Sequence, residues 1–166
     1  HGDLHSGSIF INAENCKVID AEFGFYGPIG FDVGSLLGNL LLNYLGHFGL
    51  TADAAARDTH QQYLLAQADS VWQQFSSQFK QLMDNECREP TLQNSLYQQR
   101  FMQQVWADTL GYAGCELIRR TVGLAHVAEH RIDGVELILC LLERETGGEL
   151  AVGLPVVLEG KTVARR

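Results

Sequence analysis

Acidic and imidazole side chains gather in two short runs of the sequence, His1-Gly2-Asp3-Leu4-His5 and Asp20-Ala21-Glu22. Asp3 and Asp20 stand 17 positions apart (20 − 3). Ser8-Ile9-Phe10-Ile11 and Lys17-Val18-Ile19-Asp20 between them read as two short strands, and Asn12-Ala13-Glu14-Asn15 has the composition of a turn. A hairpin returns its ends to one place, so Asp3 and the second acidic run are expected to share a cleft. Phosphoryl transfer uses such a set. One carboxylate orients the attacking hydroxyl and accepts its proton, while others hold Mg²⁺ against the phosphate oxygens.

Each residue also has a plainer reading. Asp3 can cap a turn, as loop aspartates do. His1 and His5 can brace the loop, or H-x-D-x-H can be the metal motif of a hydrolase. That second chemistry needs further ligands, and beyond the motif the chain offers only His47, His60, His126 and His130. Asp20 and Glu22 alternate on a strand, which puts both on one face, where they repel unless a cation lies between them. The aromatic Phe23, Phe25 and Tyr26 that follow predict a partly buried setting. Asp32 is expected to be a helix N-cap and a brace for the loop. Arg119 and Arg120 diverge by about 100° on a helix, so at most one aims directly at the site.

The elements that position these groups are mostly helical. Val33, Leu36, Leu37, Leu40, Leu41 and Tyr44 recur at helical spacing after Asp32, and Gly46 and Gly49 are expected to end that helix. Residues 51–86 read as one long helix or two joined ones, with Tyr63, Leu64, Val71, Trp72, Phe75, Phe79 and Leu82 as apolar positions. Pro90 suits a first helical turn. One helix is expected through Leu96, Phe101, Val105, Trp106 and Leu110, a separate one through Leu117, Ile118, Val122 and Leu124, and a last one over 135–145. Trp72, Trp106 and the helical phenylalanines are expected in the core. The fold class is therefore α+β, mainly helical, with a short β-hairpin at the active site.

The 166 residues, 46% hydrophobic, suffice for one domain with a sizeable core. The net charge is −8 and no Lys/Arg-rich run occurs, which argues against a nucleic-acid or anionic-membrane partner. No apolar stretch reaches the roughly 20 residues of a membrane span. Cys16, Cys87, Cys115 and Cys140 form no CxxC pair and read as free thiols of a cytoplasmic protein.

The loop, hairpin and acid pattern resembles the protein-kinase-like phosphotransferases, such as aminoglycoside and choline kinases. The match narrows to the 5-methylthioribose kinase family. His1-Gly2-Asp3-Leu4-His5-Ser6-Gly7-Ser8-Ile9 resembles its catalytic loop, and Asp20-Ala21-Glu22-Phe23 its D-x-E metal motif. Phe25-Tyr26-Gly27-Pro28-Ile29-Gly30-Phe31-Asp32-Val33-Gly34 and Arg119-Arg120-Thr121-Val122-Gly123-Leu124-Ala125-His126-Val127 resemble two further blocks. General kinase loops carry a metal-binding Asn five residues after the catalytic Asp. Ser8 stands there instead, and the narrower family departs at the same place.

The resemblance implies a kinase-like C-terminal lobe over residues 1–146, with catalytic loop 1–9 and metal motif 20–22, and a divergent tail over 147–166. The sequence begins inside a motif, and no Gly-rich loop with a strand-borne Lys precedes it. The N-terminal nucleotide-clamping lobe is thus expected to be missing and the isolated fragment inactive. The implied reaction moves phosphate from ATP–Mg²⁺ to the 1-hydroxyl of 5-methylthioribose, in methionine salvage. Asp3 is then the catalytic base, Asp20, Ala21 and Glu22 bind the nucleotide–metal cofactor, and Arg119 or Arg120 contacts the substrate alongside Asp3. His1, His5, Ser8 and Asp32 are structural neighbours of the site, and a homodimer is implied. An aminoglycoside or choline-type kinase, a metal-dependent hydrolase and an inactive binding module remain as alternatives.

Overall fold

A computed structural model of the chain describes residues 1–122, together with 157–158 and 161–162. The helix expected over 135–145, the Gly147-Gly148 boundary, His126, His130 and Cys140 lie outside the described residues.

The chain enters through the loop 1–5 and a 3-10 turn, Ser6–Ser8, into a small antiparallel sheet of β1 (Ile9–Ile11) and β2 (Cys16–Val18). The register pairs Ile9 with Val18, Phe10 with Lys17 and Ile11 with Cys16. The turn is built as its composition predicts. Asn12 Oδ1 accepts from the amides of Glu14 and Asn15, at 2.9 and 2.7 Å, and Asn12 N donates to Asn15 O.

Three long helices follow: α1 (Gly30–Leu50), α2 (Ala54–Asn85) and α3 (Ser95–Val122). Several expectations are corrected here. The residue that caps α1 is Ile29, not Asp32, which lies in the first turn. Gly46 and Gly49 lie inside α1, which runs on to a cap at Thr51. Residues 54–85 are one helix, begun by Asp53, whose Oδ1 accepts from Ala56 N at 2.7 Å. As far as Val122, the two helices expected beyond Pro90 are one unbroken helix, α3, begun by Asn94, whose Oδ1 accepts from the amides of Leu96 and Tyr97; Leu124 lies outside the described residues. Pro90 opens a separate 3-10 turn, Pro90–Gln93. Tyr63, Leu82, Leu96 and Ile118 face solvent despite their helical spacing.

Helices α1 and α3 meet along a stripe of glycines, Gly30, Gly34 and Gly38, one every four residues. A Cβ on Gly30 would stand 2.7 Å from Thr109 N, one on Gly34 2.5 Å from Thr109 O, and one on Gly38 3.1 Å from Ala113 O. The partners advance along α3 as the glycines advance along α1, so the two helices run in the same direction. Only residues without side chains allow backbones to approach this closely. Thr109 is fully buried at the contact, and its hydroxyl donates to Val105 O at 2.7 Å. Val33, Leu37 and Ala113 form one cluster of the core, with Leu40, Ala68, Val71, Trp72, Phe75 and Trp106 packed against it. Trp72 and Trp106 lie 4.4 Å apart between ring centres, joining α2 to α3. The core role expected of these aromatics holds.

Within 147–166, β3 (Val157–Leu158) and β4 (Lys161–Thr162) pair antiparallel as a hairpin. Among the described residues no helix is long and apolar enough to cross a membrane.

Candidate active site

The loop 1–5 is shaped by donors that need an acceptor. Asp32 supplies it. Its carboxylate accepts from the His1 backbone nitrogen at 2.8 Å, from Gly2 N at 2.9 Å and from Leu4 N at 3.3 Å. A carboxylate in the first turn of a helix is also favoured by the helix dipole. Asp32 thus serves as the loop brace, while the capping half of the expectation is not realised.

His1 ties the loop to the far end of the hairpin. Its Nε2 lies 2.9 Å from Ile19 O, and its Nδ1 lies 3.3 Å from Asp3 N, which donates to it. An acceptor at Nδ1 and a carbonyl at Nε2 define the neutral imidazole with the proton on Nε2. Both ring nitrogens are therefore engaged, which leaves none for a metal. His5 caps the 3-10 turn, its Nδ1 accepting from Gly7 N at 3.0 Å, and its Nε2 stands 3.7 Å from Asp3 Oδ2. Ser8 is buried, and its hydroxyl donates to Asp3 O at 3.2 Å.

Gly2 makes the closest approach in the site. Its φ is +89°, and a Cβ there would fall 2.1 Å from Phe23 O. The peptide before Asp3 thus lies directly on the segment that follows Glu22. Ile19 N donates to Ser8 O at 3.0 Å at the hairpin's open end. These contacts bring the backbone of the Asp3 loop against residues 19–24.

Asp20 and Glu22 lie beyond β2, which ends at Val18, so strand alternation does not set their directions. Asp20 adopts φ +68°, the sole positive value at a non-glycine residue in the described chain. Aspartate tolerates this region better than most residues, and such conformations cluster at functional sites. Phe23, Phe25 and Tyr26 are exposed, against the expectation of a partly buried setting, because no described element packs over them. Phe25 does touch Phe31 edge-on, at 5.3 Å.

Mg²⁺ binds through one or two carboxylates and completes its shell with water and phosphate oxygens. Asp20 and Glu22, both exposed and without an ion-pair partner among the described residues, fit that donor set. Among the described residues no three His, Cys, Asp or Glu side chains converge on a closed metal site.

Arg119 and Arg120 lie in the last turn of α3. Both donate to Glu116, through Nε at 2.8 and 2.9 Å respectively. Gly30 is level with Thr109, so the arginines lie about 15 Å further along α3 at 1.5 Å per residue. No described contact joins them to Asp3. Glu116 was not singled out from the sequence. Its signal was the spacing of one acid three and four positions before two arginines. Burial pushes the Glu116 carboxyl up, but hydrogen bonds from Arg120 and Arg119, and their charges, outweigh this and lower it below its ordinary 4.5.

No protein-family profile matches the chain. Its sequence is 50% identical to the methylthioribose kinase of Pectobacterium carotovorum subsp. carotovorum, over 98% of this chain and 38% of that protein. The methylthioribose kinase of Pectobacterium atrosepticum is 48% identical over the same shares. That of Yersinia pseudotuberculosis is 53% identical over 78% of this chain and 31% of its own length. The chain is a relative of the methylthioribose kinases, as the motifs indicated, and it spans 38% of the length of the first two.

Proposed function

We propose that this chain is the C-terminal, kinase-like lobe of an ATP- and Mg²⁺-dependent kinase that phosphorylates the 1-hydroxyl of 5-methylthioribose in methionine salvage. The observation that carries the reading is the docking of the Asp3 loop on residues 19–24, through Gly2, His1 and Ile19, in a relative of the methylthioribose kinases. Asp3 orients the acceptor hydroxyl and takes its proton. The bonds from Gly2 N and Leu4 N to Asp32, and from Asp3 N to His1, support this role, because they hold the backbone on either side of Asp3. Asp20 and Glu22 hold Mg²⁺, which when bound neutralises charge on the transferred phosphate. Arg119 or Arg120 contacts the acceptor. The engagement of both His1 ring nitrogens supports this reading over a hydrolase built on H-x-D-x-H.

The test is an ADP-release assay on the full-length protein with 5-methylthioribose, choline and an aminoglycoside as acceptors. Asp3→Asn is expected to keep the fold and lower kcat by about 10²–10⁴-fold, the usual worth of a general base. Glu22→Ala is expected to raise the Mg²⁺ concentration needed for half-maximal rate. Near-normal turnover of Asp3→Asn would remove Asp3 from its role, and a preference for another acceptor would overturn the substrate while leaving the kinase class.

A further inference from the structure

The two arginines of the proposed acceptor contact share one buried partner. Glu116 is 5% exposed and lies on the face of α3 turned toward α1. It fits there because Gly38 has no side chain: a Cβ on Gly38 would stand 3.1 Å from both Cβ and Cγ of Glu116. Glu116 Oε2 accepts from Arg119 Nε at 2.8 Å and Nη2 at 2.7 Å. Its Oε1 accepts from Arg120 Nε at 2.9 Å and from Asn39 Nδ2 at 3.3 Å. Asn39 is fixed in turn by donating to Ser35 O at 3.0 Å.

Neighbouring residues of a helix point about 100° apart, so two adjacent guanidinium groups do not ordinarily share an orientation. Here one carboxylate, one turn earlier on the same helix, draws both into a fixed relation. A guanidinium has five N–H donors. Arg119 commits two of them to Glu116 and Arg120 one, and the Arg119 side chain remains 53% exposed. Among the described residues the other donors have no partner, on side chains whose planes are already set. A buried carboxylate paired with two partly exposed arginines adds only modest net stability, because desolvation and solvent screening offset much of its Coulombic gain. Preorganisation of the arginines is what the arrangement does provide.

We propose that Glu116 is a positioning residue: anchored on α1 through Asn39 and Gly38, it holds Arg119 and Arg120 in the orientation in which their remaining N–H groups engage the acceptor substrate. This rests on the acceptor role given to the arginines above. Glu116→Gln is the discriminating variant, since its amide accepts from one arginine but turns a donor toward the other.

The experiment measures kcat, KM for 5-methylthioribose, KM for ATP and the melting temperature of the full-length enzyme. Glu116→Gln is expected to raise the acceptor KM roughly 10- to 100-fold, as small misplacements of binding groups do, with kcat and ATP KM nearly unchanged. Glu116→Asp, which keeps the charge, is expected to recover part of the loss. Asn39→Ala, which removes the anchor and leaves every charge, is expected to raise the acceptor KM in the same direction and covers the case in which Glu116→Gln does not fold. A lowered melting temperature with an unchanged acceptor KM would overturn the proposal and make the cluster purely structural. An equal fall in kcat and rise in ATP KM would overturn it too. Wild-type enzyme that releases no ADP with 5-methylthioribose would instead overturn the underlying kinase reading, and that result is seen before any variant is compared.

Discussion

Residues 10–29 and helix α1 differ in what holds them. Every residue from 10 to 29 is exposed, including Phe10, Ile11, Phe23, Phe25 and Tyr26, whereas burial begins at Gly30 and continues through Val33, Gly34, Leu37 and Gly38. Apolar burial is worth about 25 cal/mol per Å², so α1 and α3 are held by contact area. The hairpin and acidic segment have little such area and are held at points: the Asp32 carboxylate, the His1 imidazole and the Gly2–Phe23 approach. The scaffold resists deformation, while the candidate site carries the directional bonds and the left-handed Asp20. Sites of this kind depend on a few hydrogen bonds whose loss scarcely registers in global stability.

That contrast can be broken most severely at Asp32, the residue that links the two regions. Asp32→Ala strips the acceptor from three partly buried backbone donors, which water can reach in part, so the loss falls on the geometry of the loop more than on global stability. Turnover of the full-length enzyme is expected to fall by roughly 10²-fold as the Asp3 loop shifts, while far-ultraviolet circular dichroism of the helices stays unchanged. Loss of the helical signal along with activity would show that the loop and scaffold form one cooperative unit.

The next largest effect belongs to the scaffold. Gly34→Ala would place its Cβ 2.5 Å from Thr109 O and 2.8 Å from Tyr112 Cβ. Overpacking of this sort costs about 1–3 kcal/mol, read as a lowered urea midpoint. A midpoint equal to wild type would mean that α1 and α3 separate easily, against the close approach described.

A pH titration tests the buried end of α3. The folded Glu116 carboxyl is lowered below 4.5. A carboxyl depressed by folding stabilises the fold fully above its unfolded value and loses that contribution as pH falls through the folded value. The urea midpoint is therefore expected to drop in the acid range below pH about 4.5, and Glu116→Gln should flatten that limb. Equal acid limbs for the two proteins would remove Glu116 as a contributor. The smallest effect is expected at Tyr26, fully exposed in the segment beside the site: Tyr26→Ser should change stability by no more than about 0.5 kcal/mol. A larger loss would mean that residues 10–29 are held by packing after all.

Local chemistry made the hairpin and its acids legible in the sequence. Asn12 closes the turn with its own side chain, the strands beside it carry the β-branched Ile9, Ile11 and Val18, and the separation of Asp3 from Asp20 follows from chain connectivity. The helical spacing of the core aromatics was legible for the same reason, since periodicity reports a face directly. Tertiary structure decided the remainder. Gly46 and Gly49 read as helix ends because glycine costs about 1 kcal/mol in a helix interior, yet α1 runs through them. Packing between α1 and α3 overrides these local costs. Asp32 kept its role as brace and lost that of cap, and Glu116 became the partner of two arginines, for one physical reason. Spacing along a chain fixes which side chains share a face. The acceptor that a carboxylate becomes, and the burial that sets its strength, depend on which other element is brought against that face.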